Sequence, residues 1–333
     1  MKFKTLLFFL ICMCIILTDA KAQNFFSKEK PFAHTFSIVA RDTKTGEMGV
    51  AVQSHWFSVG SIVTWGEAGV GVVATQSFVN PAFGPQGLAL LKNGLTPEQA
   101  VKMLITNDKG RDVRQLAILD RTHKPANYTG AKCIPAAGGI IGKNFAVQAN
   151  LMANDKVWPA MAKAFRVTKG PLAERMVAAL EAAQSVGGDI RGKQSAALLV
   201  VKGKSTGKVW EDRLIDLRVE DSPSPIKELK RLLKVHRAYD HMNAGDLAVE
   251  HGKMTLAMKE YSTAESMFPN NEEMKYWHAV TLTNIGRLKE ALPIFKEVFK
   301  ANNNWAILTP RLIKVGQLKV NDKELKQIMK QRK

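Results

Sequence analysis

The chain changes character at Asp221-Ser222-Pro223-Ser224-Pro225. Upstream, short runs rich in β-branched residues are grouped with amphipathic stretches; downstream, no run has strand periodicity. Two closely spaced prolines fix φ and remove backbone donors, so residues 222–225 read as a linker between two regions. With 333 residues, 46% of them hydrophobic, both regions can build a core, which excludes a disordered or fibrous chain.

The head of the chain is not fold. Lys2 and Lys4 precede an unbroken apolar run from Leu6 to Leu17, and Ala20-Lys21-Ala22 places small residues where a signal peptidase reads. A signal peptide over 1–22, cut before Gln23, is expected, with the protein exported to the periplasm or beyond. The apolar run falls short of the ~20 residues of a membrane-spanning helix, so no membrane association is expected after cleavage. Residues 23–34 are then a mature N-terminal segment or a propeptide. Cys12 and Cys14 leave with the signal, and Cys133 alone cannot form an internal disulfide. It reads as a small buried hydrophobe.

In the first region, Thr35 to Arg41 and Met48 to Gln53 flank the turn-rich Asp42-Thr43-Lys44-Thr45-Gly46-Glu47, a hairpin signal. Val59 to Val63 and Val70 to Thr75 read as further β runs. Helices follow at Gln86 to Lys92 and after Thr96-Pro97-Glu98-Gln99, a capping box with Pro at the first helical position. Strands resume at Gln115 to Leu119, Ala126 to Thr129 and Phe145 to Asn150. Helices at Lys156 to Phe165 and Leu172 to Gln184, then strands at Ala196 to Val201 and Leu214 to Val219, close the region. Strict strand-helix alternation is missing, so the class is α+β, with two helix pairs covering stacked, mainly antiparallel sheets.

The second region, 226–333, repeats itself. Gly252, Ala257 and Tyr261 recur 34 residues later as Gly286, Ala291 and Phe295, with Gly245, Ala264 and Pro269 at the small-residue and terminal-proline positions of a tetratricopeptide unit. Small residues let paired helices approach and the aromatic fills the gap beside them. The second copy is looser, with Asn303 where proline is expected. Such repeats present a concave surface to a peptide or protein partner.

Several motifs fail on context. Gly69-Val70-Gly71-Val72-Val73-Ala74 matches a dinucleotide fingerprint but continues as β, and Gly203-Lys204-Ser205-Thr206-Gly207 lies between strands rather than at a strand-to-helix elbow. His236 and His241 are badly spaced to share a helix face, and neither metal nor organic cofactor is expected. The formal net charge of +18 is spread over both regions without aromatic-basic interleaving, which argues against nucleic acid.

The remaining chemistry sits at Thr35. A threonine hydroxyl is a weak nucleophile unless a base takes its proton, and a free α-amine, of pKa roughly 7.7–8.0, serves as that base within the same residue. Residues 35–220 resemble the bacterial family of unknown function catalogued as DUF1028. The resemblance rests on Thr35-Phe-Ser-Ile-Val-Ala-Arg-Asp42, Gly49-Val-Ala-Val-Gln-Ser-His-Trp-Phe-Ser-Val-Gly60, Ala74-Thr-Gln-Ser-Phe-Val-Asn-Pro81, Gly84-Pro-Gln-Gly87 and Gly187-Gly-Asp-Ile-Arg-Gly-Lys-Gln-Ser195. It implies a four-layer αββα fold like that of N-terminal-nucleophile (Ntn) hydrolases, and amide-bond hydrolysis.

Cytosolic members resemble a chain beginning Met-Thr-Phe-Ser, in which methionine removal frees the threonine. Here Gln23 to His34 stand in front, so the mechanism requires a cut between His34 and Thr35. Thr35 is the expected nucleophile toward a small amide substrate. Ser54, His55, Thr75, Asn80, Asp189, Arg191 and Ser195 are its candidate neighbours. The alternatives are plain: a strand-initiating threonine, a surface histidine, an Asp189-Arg191 loop ion pair and an Asn80-Pro81 turn. The competing function is a non-catalytic ligand-binding domain joined to a protein-interaction module.

Overall fold

Asp42 sets the first hairpin. Its Oδ1 accepts the N–H groups of Lys44 and Thr45 at 2.8 and 3.1 Å, and Gly46 turns the chain at φ 77°. The turn joins β2 (Thr35–Arg41) to β3 (Met48–Ser54) in antiparallel register, Thr35 opposite Ser54. The computed structural model describes residues 32–332; the expected leader over 1–22 lies outside the described residues, as do residues 23–31.

Two antiparallel sheets form among the described residues. The larger runs β11-β10-β3-β2-β9-β8, where β8 is Gly138–Ile141, β9 Phe145–Ala149, β10 Ser195–Val201 and β11 Arg213–Val219. The smaller runs β1-β5-β6-β7, with β4 (Thr64–Glu67) also on β5; β1 is Phe32–Ala33, β5 Gly71–Phe78, β6 Arg114–Asp120 and β7 Ala126–Thr129. Thus the chain leaves the smaller sheet at Ala33 and enters the larger one at Thr35.

Strand alternation assigns each face. Val39, Val50, Val52 and Leu199 from the larger sheet meet Val72, Ala74, Ala117 and Leu119 from the smaller one in a shared core. On its other face the larger sheet buries Phe36, Ile38 and Leu198 against α4 (Val157–Val167) and α5 (Leu172–Ser185). The smaller sheet covers Val73, Leu116 and Ile118 with α2 (Phe83–Lys92) and α3 (Pro97–Thr106). The capping box at Thr96 is formed as expected: its hydroxyl accepts the Gln99 N–H and the Gln99 side chain accepts the Thr96 N–H. Cys133 is buried, and desolvation pushes its thiol pKa up.

The segment Val59 to Val63 departs from expectation. It forms a helical turn, α1 (Gly60–Val63), instead of a strand. Ser195 Oγ accepts the Val59 N–H at 3.1 Å, and a Cβ on Gly60 would stand 2.6 Å from Ala197 Cβ, so tertiary packing overrides the β-branched run. A short α6 (Val209–Asp212) precedes β11.

The described elements from Pro225 on are all helices, joined by short turns: α7 (Pro225–Glu250), α8 (Met254–Met267), α9 (Glu272–Asn284), α10 (Leu288–Ala301), α11 (Asn304–Lys314) and α12 (Asp322–Met329), with a final 3-10 turn. Ile226, Leu229 and Leu233 of α7 belong to the core beside α4 and α5, and Arg237 pairs with Glu174, so α7 carries the chain out of the sheet region as one rod. Gly245 lies under the Tyr261 ring, where a Cβ would approach to 2.7 Å; this permits the close packing of α7 and α8. No described helix is long and apolar enough to cross a membrane.

Candidate functional site

Register brings hydroxyls together. Thr35 on β2 faces Ser54 on β3, and Ser54 faces Ser195 on β10, so the three share one row at one end of the larger sheet. They lie on the same face as Val39, toward the smaller sheet, and all three are fully buried. Asn150, just past β9, extends the row on the other side, its N–H donating to the Thr35 carbonyl at 3.1 Å.

The peptide bond before Thr35 lies inside this row. The His34 carbonyl oxygen accepts from Ser54 Oγ at 2.6 Å and from Arg191 Nη2 at 2.7 Å. Asp189 aims that guanidinium. Its buried carboxylate accepts from Arg191 Nε at 3.0 Å, Nη2 at 2.7 Å and the Arg191 backbone N–H at 3.0 Å, and from the His55 N–H at 3.1 Å. A half-buried arginine held bidentately by a buried carboxylate is a fixed donor. Two donors converging on one carbonyl oxygen stabilise the negative charge that develops there when a nucleophile adds to its carbon.

A buried polar chain fills the space behind Thr35, between the sheets. Gln115 Nε2 donates to the Ala149 carbonyl at 2.9 Å, which leaves Gln115 Oε1 as the acceptor for Gln76 Nε2 at 2.7 Å and Asn150 Nδ2 at 2.8 Å. Gln76 Nε2 also reaches the Thr35 carbonyl at 3.0 Å, while its Oε1 accepts from Ser37 Oγ at 2.6 Å. With Asn150 Nδ2 committed to Gln115, Asn150 Oδ1 is an acceptor. It meets His34 Nδ1 at 2.7 Å, so the proton sits on Nδ1 in neutral His34. Desolvation lowers the His34 pKa, its hydrogen bond to Asn150 opposes that shift, and the Arg191 charge adds to it. The Phe78 ring meets the imidazole edge to face at 5.5 Å. Ser77 and Leu151, beside Phe78 and Asn150, have positive φ of 72° and 57°. Such strain in non-glycine residues concentrates at functional sites.

Of the residues singled out from sequence, Thr35, Ser54, Asp189, Arg191 and Ser195 come together. Ser195 Oγ donates to the Trp56 carbonyl and fixes the loop after Ser54. His55 takes part through its backbone; its side chain is exposed. Thr75 and Asn80 stand apart: Thr75 faces the α2–α3 side with Val73 and donates to the Asn80 carbonyl at 3.2 Å, while Asn80 lines a cavity between α2 and α3 with Phe83 and Met103. His34, Ser37, Gln76, Gln115, Gln148 and Asn150 were missed. Their signal is a polar side chain in an otherwise apolar strand run, repeated on four strands. Among the described residues no three His, Cys, Asp or Glu side chains gather as a metal site.

Residues 35–229 match a family of unknown function, DUF1028. The chain belongs to this family. A crystal structure of a DUF1028 protein from Silicibacter pomeroyi resembles it with a TM-score of 0.55 and 30% identity, over 61% of this chain and 88% of that one. No curated protein matches the chain. In this DUF1028 protein the family match begins at Thr35 itself, so the two donors on the His34 carbonyl act on the junction between the matched region and the segment before it.

Proposed function

We propose that this protein is an exported Ntn-type amide hydrolase that matures by cutting its own His34–Thr35 bond. In this reading the two sheets and their flanking helix pairs are the αββα layers of that fold class. The observation that carries it is the His34 carbonyl oxygen, buried and held between Ser54 Oγ and Arg191 Nη2. That is the carbonyl of the one bond whose cleavage gives Thr35 a free amine.

The chemistry balances as two steps. Thr35 Oγ1 adds to the His34 carbonyl carbon while Ser54 and Arg191 hold the oxyanion. The C–N bond breaks, the hydroxyl proton passes to the departing nitrogen, and His34 is left as an ester on Thr35. Water then hydrolyses the ester, releasing a peptide that ends in the His34 carboxylate. Afterward the free amine takes the hydroxyl proton in each turnover, and the same two donors receive the carbonyl oxygen of a substrate amide. The helical region, read as tetratricopeptide-like, would hold a peptide or protein partner.

Substitution at the nucleophile tests the proposal. Thr35→Ala should stop both maturation and hydrolysis of arylamides, and Thr35→Ser should retain both. Maturation and hydrolysis in Thr35→Ala would remove the proposal, and a non-catalytic binding domain would take its place.

A further inference from the structure

The segment that blocks Thr35 shows which acyl group the mature site takes. Resting on the hydrolase reading above, we infer that the substrate is an extended peptide whose cleaved carbonyl belongs to histidine, or to another planar side chain with a hydrogen-bond donor. Maturation and turnover pass through the same kind of ester on Thr35 Oγ1, with its carbonyl oxygen between Ser54 and Arg191. The acyl chain of a substrate therefore lies where His34 and the residues before it lie now.

Two features of that place select a ligand. Asn150 Oδ1, fixed as an acceptor by Gln115, receives His34 Nδ1–H at 2.7 Å, and the Phe78 ring covers the imidazole edge; His34 is only 2% exposed. An aliphatic side chain in this niche would leave Asn150 Oδ1 without its partner. Next, β1 pairs antiparallel with the end of β5, Phe32 opposite Phe78 and Ala33 opposite Ser77. The departure of β1 uncovers that edge, and an extended peptide binds there by strand addition. A small acyl amide uses only the first of these features.

The test uses full-length protein purified after export, its terminus read by mass spectrometry. Its kcat/KM is compared on three fluorogenic arylamides: Lys-Pro-Phe-Ala-His, which copies residues 30–34, the same peptide with a final Leu, and histidine alone. The expected result is a preference for the first of roughly ten- to a hundredfold over the leucine peptide, and at least about tenfold over histidine arylamide. The free acid Lys-Pro-Phe-Ala-His should inhibit competitively. Equal rates on the three, or faster cleavage of histidine arylamide, would overturn this inference and leave the hydrolase reading standing. A protein that begins at Thr35 yet cleaves none of them or any simpler arylamide would overturn both.

Discussion

Ser54→Ala isolates the proposed oxyanion donor with little disturbance. Ser54 is fully buried, and its hydroxyl donates to the His34 carbonyl at 2.6 Å. Alanine removes one oxygen and adds no bulk. The carbonyl keeps Arg191 Nη2 at 2.7 Å, so no buried acceptor is orphaned. Loss of one neutral hydrogen bond lowers stability by about 1 kcal/mol, too little to unfold a domain of this size. Its effect on bond cleavage should be larger, because the donor faces the oxygen on which charge develops. Removing one such donor raises a barrier by roughly 2.7–4 kcal/mol, or about a hundred- to a thousandfold in rate. A time course of intact mass at 25 °C, from first purification onward, reads maturation directly. The half-life should lengthen about a hundred- to a thousandfold in Ser54→Ala, with the melting transition nearly unchanged. Equal half-lives in two folded proteins would refute the assignment of Ser54 to the oxyanion.

Other substitutions probe the surroundings. Gln76→Leu leaves Ser37 Oγ, the Thr35 carbonyl and Gln115 Oε1 each short of a partner, so chemical denaturation should show a loss of about 2–5 kcal/mol. In the unprocessed Thr35→Ala protein, His34 has a folded pKa below its unfolded value near 6.5, and the unfolded state binds the extra proton. His34 therefore supports folding above about pH 6.5, and that support is lost as the pH falls toward its lowered folded pKa. The Tm of Thr35→Ala should drop between pH 7.5 and 5.5 more steeply than that of His34→Gln/Thr35→Ala. Gly245→Ala pushes a methyl to within 2.7 Å of the Tyr261 ring and should cost about 1–3 kcal/mol by denaturation of the full chain, while the maturation rate stays unchanged.

The sequence carried the scaffold better than the site. The Asp42–Glu47 turn, the Thr96 capping box and the hairpin of Thr35 to Arg41 with Met48 to Gln53 each state a local structure through local chemistry, and each forms. Val59 to Val63 misled because its strand propensity is overruled by contacts with Ser195 and Ala197, distant in sequence. Strands β4 and β8 are short, and β8 opens with Gly138-Gly139, so neither carries a propensity signal. At the site, Thr35, Ser54, Asp189 and Arg191 were legible as chemical residue types near strand or helix ends. The amides behind them were not, because Gln76, Gln115, Gln148 and Asn150 acquire meaning only when two sheets turn their polar positions toward one another. His34 was hidden for another reason: it stands before the proposed nucleophile and reads as discarded chain, although it is as buried as the core.

Intact mass and terminal sequencing of the purified wild-type protein read the covalent fact on which the proposed hydrolase depends. The expected result is a chain that begins at Thr35, accompanied early in the time course by a fragment ending in a His34 carboxylate. A stable chain in which His34 is still joined to Thr35, in a preparation that hydrolyses amides, would contradict it.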